Sequence, residues 1–264
     1  MKSRFLFLIV LAIASTLLAG CGTQPVAGSR DDLQTSSDYT NNQKLARIRL
    51  QLAVGYYEQR QMAEALDDIK RALQADPNFA DAYSVRGLIY MDMGESRLAE
   101  ESFLQAIRLA PNDPNLSNNY GWFLCQNGRE RQSISYFEAA LKNRNYQSPA
   151  KALNNAGNCS LKFGDKLSAE RYFSQAFQYE PGNPLTNTSL AKLYFERGDN
   201  ERARFYIGRV MKADIMTAEV LWLAIKIERK LGDRAAENSL VTQLRRRHGG
   251  SEEFAAYQRG AFDE

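Results

Sequence analysis

Three regimes of hydrophobic and polar positions follow one another along the chain. Residues Phe5 to Leu18 are apolar except for Ser15 and Thr16, and Lys2 and Arg4 precede them. Gly22 to about Asn42 is polar, rich in Gly, Ser, Thr, Asn and Gln, and has no helical period. From Leu45 onward apolar residues recur at the three- and four-residue spacing of amphipathic helices, interrupted by short turns that hold Gly or Pro. No strand pattern emerges anywhere, so the expected fold class is all-α.

The helical pattern itself repeats. Gly87 and Gly121 stand 34 residues apart, Gly157 follows 36 later, and Ala53 and Ala191 extend the column on either side. A second column holds Ala65, Ala99, Ser133, Ala169 and Ala203. Four positions on come Ile69, Phe103, Phe137, Phe173 and Ile207, and three further Ala72, Ala106, Ala140, Ala176 and Val210. Pro77, Pro111 and Pro181 close three of the units. A period of this length, with Ala-x3-Phe-x2-Ala in the second half, resembles the tetratricopeptide repeat. The resemblance implies a right-handed superhelix of about six tetratricopeptide repeats, an α-solenoid.

Each column has a physical reason. Small residues belong where two helices cross at close range. The Phe or Ile fills the gap between one pair and the next. Proline ends a unit because it cannot continue the hydrogen-bond ladder. Helix pairs are expected at about 43–75, 80–109, 114–143, 149–179, 184–213 and 217–247, with extra residues near Gln147 and Ser148 lengthening one loop. The sixth pair is degenerate: its best register puts Ala224, Ala236 and Leu240 in the columns, and a shift by one residue fits nearly as well. The tail from Ser251 is expected to add a short capping helix with Phe254 and Tyr257 on its apolar face.

The first regime reads as a processing signal. Its apolar core is shorter than the roughly 20 residues a membrane span needs. It ends in Leu18-Ala19-Gly20-Cys21, which resembles the bacterial lipobox. That resemblance implies a lipid anchor on Cys21, and Gly22 in place of an aspartate implies the outer membrane, periplasmic face. The polar stretch is then a flexible tether reaching roughly 25 Å. The expected division is a signal peptide at 1–20, lipidated Cys21 and tether at 21–42, six repeats at 43–248 and a C-terminal cap or tail at 249–264.

Charge adds little. The net charge is +3, from 34 basic and 31 acidic side chains, too weak and too mixed to argue for nucleic acid. Cys125 and Cys159 match no zinc spacing, and the one histidine, His248, ends a run of three arginines at a helix terminus, where cations complement the helix dipole. The residues offer no nucleophile–base pair, phosphate loop or metal cluster. The expectation is a binding scaffold, not an enzyme, with no cofactor and no small-molecule substrate. Cys125 and Cys159 lie on neighbouring first helices but in different columns, which favours two buried thiols over a bridge.

Superhelices of this kind usually bind peptides along the first helices of the pairs. At spacing i, i+4, i+7 that face presents Leu50, Val54 and Tyr57, then Ser84, Leu88 and Met91, then Asn118, Trp122 and Cys125. Asn154, Asn158 and Leu161 follow, and then Thr188, Lys192 and Phe195. The expected groove is apolar in its N-terminal half and rich in asparagine in the middle, where Asn119 and Asn155 add to Asn118 and Asn154.

Six such repeats behind a lipobox resemble the PilF/PilW lipoproteins of type IV pilus biogenesis. The segment Asn118-Asn119-Tyr120-Gly121-Trp122-Phe123-Leu124-Cys125 is similar to that family's third repeat, and Leu153-Asn154-Asn155-Ala156-Gly157 to its fourth. The resemblance implies a pilotin, which binds the secretin subunit of the pilus machine and promotes its outer-membrane localisation and multimerisation. Lipid-anchored repeat adaptors of β-barrel assembly or of peptidoglycan enzymes share the same architecture.

Overall fold

The computed structural model describes residues 38–262. The signal peptide, Cys21 and most of the expected tether lie outside the described residues. From Thr40 onward the chain forms one unit. Its described part is all helix, arranged as six antiparallel pairs and a short closing helix.

The first helices of the pairs are α1 (Asn41–Glu58), α3 (Ala80–Asp92), α5 (Pro114–Gln126), α7 (Pro149–Lys162), α9 (Pro184–Glu196) and α11 (Ala218–Leu231). The second helices are α2 (Met62–Ala75), α4 (Ser96–Leu109), α6 (Glu130–Lys142), α8 (Lys166–Tyr179), α10 (Asn200–Lys212) and α12 (Arg234–His248), and α13 (Glu252–Arg259) closes the array. Each pair packs on the next to give an all-α repeat superhelix.

Local chemistry sets the ends of the helices. The Asp113 carboxylate accepts from the backbone N–H groups of Asn115 and Leu116, and Asn183 does the same for Leu185 and Thr186. Each is followed by a proline in the first turn, where a missing N–H costs nothing. Thr40 and Gln43 form a reciprocal capping box on α1. The turns inside pairs two to six carry Gly94, Gly128, Gly164, Gly198 and Gly232 in the left-handed region, φ between 75° and 84°. The first pair has Arg60 in that place, φ 61°, with its guanidinium on Asp92.

The small columns are the crossing points. Ala65, Ala99, Ser133, Ala169 and Ala203 are fully buried, as are Ala72, Ala106, Ala140, Ala176 and Val210. Phe103 reaches Phe123 of the next pair, ring centroids 5.4 Å apart, so it fills the gap between units as expected. It also does something the pattern alone did not suggest. A β-carbon on Gly87 would lie 2.8 Å from the Phe103 ring, one on Gly121 2.9 Å from Phe137, and one on Gly157 2.7 Å from Phe173. The flanking pairs have Ala53 with Ile69 and Ala191 with Ile207 at the same separation, a larger small residue matched to a narrower filler.

The sixth pair corrects the preferred register. The turn glycine Gly232 repeats the geometry of the earlier turns and puts Ile225, Glu237 and Val241 in the columns, a shift of one residue from Ala224, Ala236 and Leu240. Glu237 is 3% exposed where other units have Ala or Ser. It is retained by charge: Arg229 approaches it at 2.9 Å and Arg234 at 3.0 Å.

The longer loop, 143–148, is pinned by Tyr146, which is buried against Ala140 and Ala152. The closing helix α13 packs on α11 and α12 with Phe254, Ala256 and Tyr257 against the C-terminal core. The ring of His248 bonds the backbone carbonyl of Met216 at 2.7 Å, a tether between the end of α12 and the loop before α11.

Candidate partner-binding face

Successive first helices touch one another, α1 with α3, α3 with α5, α5 with α7 and α9 with α11, whereas among the described residues no contact as extensive joins successive second helices. The first-helix side is therefore the inner side of the array, the side expected to hold a partner. Its residues fall into three columns, counted from the Gly or Ala crossing point.

One column turns away from solvent. Asn118 is 1% exposed and Asn154 4% exposed, so these two residues are not part of an open groove. They face the adjacent first helix. Asn119 Nδ2 donates to Ser84 Oγ at 3.1 Å, Asn118 Nδ2 to Asn119 Oδ1 at 3.2 Å, and Asn155 Nδ2 to Asn118 Oδ1 at 3.0 Å. Thr186 Oγ1 donates to Asn154 Oδ1 at 2.8 Å. The asparagines form a polar seam that ties first helices together, and buried amides require such partners. Helix spacing marks a face on a helix, but only the crossing angle decides whether a neighbour covers it.

Leu50 of that column is half-buried, as are Val54, Tyr57, Leu88, Met91, Trp122, Asn158 and Leu161 of the other two, whereas Cys125 is fully buried and Lys192 exposed. Leu50 and Tyr57 rest on the N-terminal core around Ala53 and Ile69, and Val54 lies between them on the same helix. Leu88 and Met91 rest on the cluster of Phe103, Tyr120 and Phe123. Trp122 rests on Cys125, Phe137, Leu153 and Cys159. Asn158 is half-buried, and Leu161 leans on the C-terminal core. Each is fixed from behind and keeps part of its side chain in solvent, as a contact surface requires. Tyr57 also donates to Asp92 Oδ2 at 2.9 Å, and its phenol is pushed up to about 12, by burial first and then by the Asp92 carboxylate.

The column one residue past the crossing point runs Val54, Leu88, Trp122, Asn158, Lys192 and Lys226. The face grades from apolar through amide to cationic. Two features were not singled out by pattern. On α1, Leu45, Ile48 and Leu52 form a stripe about half exposed, because among the described residues no unit packs on that side of the helix. At the other end Trp222 and Lys226 join the face, a position hidden by the one-residue ambiguity of the sixth pair.

Cys125 and Cys159 are joined in a disulfide, Cα atoms 5.8 Å apart, which corrects the expectation of two thiols. The columns differ because neighbouring first helices cross: the position four past Gly121 meets the position two past Gly157. The bridge belongs to the buried cluster on which Trp122 packs.

Comparison with known proteins agrees with this architecture. Tetratricopeptide-repeat profiles match residues 50–114 and 85–148, and another matches 160–220. The type IV pilus assembly protein PilF of Pseudomonas aeruginosa is 25% identical over 258 residues, covering 98% of this chain and 99% of PilF. The crystal structure of PilW, described as a widely conserved type IV pilus biogenesis factor, superposes with a TM-score of 0.74 at 32% identity, over 81% of this chain and 99% of PilW. The chain belongs to the PilF/PilW family of tetratricopeptide-repeat proteins. The solved structure of P. aeruginosa PilF shares the fold with a TM-score of 0.77 at 24% identity, over 84% of this chain and all of that one. Repeat arrays of the PilF/PilW type are protein-interaction scaffolds, and their homology connects this chain with type IV pilus biogenesis.

Proposed function

We propose that this PilF/PilW-family protein is a pilotin: an outer-membrane lipoprotein, anchored through Cys21 on the periplasmic face, that binds the secretin of the type IV pilus and promotes its localisation and multimerisation. The observation that carries the reading is the end-to-end match with PilF, which spans the N-terminal region as well as the repeats. The Leu18-Ala19-Gly20-Cys21 sequence supports the anchor. Acylation at two or more chains holds a protein stably at a membrane, where a single chain holds it only marginally.

The secretin would dock on the inner face formed by α1, α3 and α5, where Val54, Leu88 and Trp122 offer half-buried apolar contacts backed by the core. No catalytic step is involved. The array acts by holding secretin subunits at the membrane where they assemble.

The test is deletion in the source bacterium, with outer-membrane fractions blotted for the heat-resistant secretin multimer. Loss of multimers while monomers persist is the expected result. Unchanged multimers would sink the pilotin role and leave a lipid-anchored adaptor of another assembly process. A Cys21→Ala variant separates the anchor from the groove: it should no longer incorporate radiolabelled palmitate or fractionate with the outer membrane.

A further inference from the structure

Counted from the crossing points, the counterparts of Ile48 in the later pairs are Ala82, Leu116, Ala152, Thr186 and Val220, and all of them are buried. Those of Leu52 include Tyr120 and Leu190, and those of Gly55 include Phe123 and Ile227, again buried. The second helix of the preceding pair covers such positions. Phe103 of α4 packs on Tyr120 and Phe123 of α5, with ring centroids 6.2 and 5.4 Å apart. On α1 the same face is open among the described residues, and Ile48 is 54% exposed. Gly55 leaves a gap in it: a β-carbon there would meet nothing within 4 Å, whereas Gly87, Gly121 and Gly157 are each crowded by a ring. Helix geometry puts this face on the opposite side of α1 from Leu50, Val54 and Tyr57, so it is separate from the inner face.

We propose that this face pairs with α1 of a second copy of the chain, antiparallel about a two-fold axis at Ile48. A helix of this same chain covers the counterpart positions in every later pair, so the face suits a helix and not a flat bilayer. Leu45, Ile48 and Leu52 follow one another at the three- and four-residue steps of a helix-pairing seam. Reversing the direction maps that seam onto itself: Ile48 meets Ile48, and Leu45 of one protomer meets Leu52 of its partner. Head-to-tail stacking is blocked, because α13 already packs on both helices of the last pair, as the first helix of a following pair would. The preceding residues 22–37 hold Val26 and Leu33 as their large apolar side chains, too few to supply the covering helix themselves. An isologous contact of this kind closes on itself and gives dimers, not fibres. Its seam is short beside a standard interface of roughly 800 Å² per partner, so the dimer is weak and favoured where copies are crowded.

The inference does not depend on the pilotin reading. Sedimentation equilibrium of the full chain, from micromolar to near-millimolar concentration, should show monomers and dimers and no larger species. The I48E/L52E variant should dimerise at least tenfold more weakly. Its thermal midpoint at dilution should match that of the parent, because the face is open in the monomer. L167E alters an exposed apolar residue on α8 and should dimerise as the parent does. Chains carrying Ile48→Cys should cross-link in pairs under copper–phenanthroline. Monomers at every concentration would overturn the proposal, as would a dimer indifferent to I48E/L52E. A lower midpoint for I48E/L52E at dilution would assign the face to the chain's own N-terminal residues. Monomer retained on phosphatidylglycerol vesicles, and released by I48E/L52E, would assign it to a bilayer. Binding of the secretin by the monomer that I48E/L52E abolishes would assign it to that partner. Each of these three outcomes defeats self-pairing.

Discussion

Gly121 lies so close to Phe137 that a β-carbon on the glycine would stand 2.9 Å from the ring. The contact is repeated by Gly87 with Phe103 and by Gly157 with Phe173, while the first and fifth pairs use Ala with Ile. Small residue and filler are therefore one unit of packing. Gly121→Ala should cost about 1–3 kcal/mol, the usual range for overpacking. Adding Phe137→Ile should recover part of that loss, a coupling that a double-mutant cycle in urea would measure. Strict additivity would mean that the two positions are independent.

The Cys125–Cys159 bridge closes a loop of 34 residues in sequence between two first helices. Cross-links of that kind stabilise by about 2–4 kcal/mol, chiefly by restricting the unfolded chain. Cys125→Ser or reduction with dithiothreitol should lower the thermal midpoint. Because Trp122 packs on the bridged cluster, reduction should also change its fluorescence. A midpoint indifferent to reductant would remove the bridge from the stability of the fold.

Asn118 distinguishes seam from groove. Its side chain is buried and bonded to both Asn119 and Asn155, so Asn118→Ala should destabilise by roughly 1–3 kcal/mol through the amide partners it leaves. Asn158→Ala, on the half-buried column, should leave the urea midpoint almost unchanged. The reverse order would restore Asn118 to an open face.

High pH should loosen the array. The phenols of Tyr57, Tyr120 and Tyr172 are pushed up to about 12, first by burial and then by hydrogen bonds to Asp92, Glu100 and Glu138. An unfolded tyrosine titrates near 10. A raised folded value means that this stability is fully present below pH 10 and is lost as pH rises through 12. Urea midpoints should fall across that window, and less steeply in the Tyr57→Phe, Tyr120→Phe, Tyr172→Phe triple variant.

Glu237 occupies a column that other units fill with Ala or Ser, and it depends on its cations. Glu237→Ala should stay within about 1 kcal/mol of the parent, because the released arginines are solvated and the column suits a small residue. Arg229→Ala with Arg234→Ala strands the buried carboxylate and should cost about 3 kcal/mol or more. Equilibrium denaturation of the two variants gives the ranking.

Much of the fold was legible in the columns. Crossing points, turn glycines and the Phe or Ile fillers follow from helix geometry acting on a repeated unit, and each is local to one pair. The sixth pair was ambiguous because Glu237 sits where the pattern expects a small residue, and a one-residue shift recruits Ala236 in its stead. Only the buried ion pairs with Arg229 and Arg234 make the glutamate acceptable there.

The inner face was legible in part. Leu88, Met91 and Trp122 follow from helical spacing, since a residue held on one side by its own pair must show the other side outward. The asparagines did not follow, because their burial depends on how neighbouring first helices cross. The same crossing brings Cys125 to Cys159 across unlike columns, and the segment after the closing helix brings Phe262 to Trp222. Periodicity, caps and turns are properties of single helices or single pairs, so the sequence by itself determined them. Which polar groups share a seam, which thiols meet and which faces stay open depend on the angle and offset between units, and those only the tertiary structure decided.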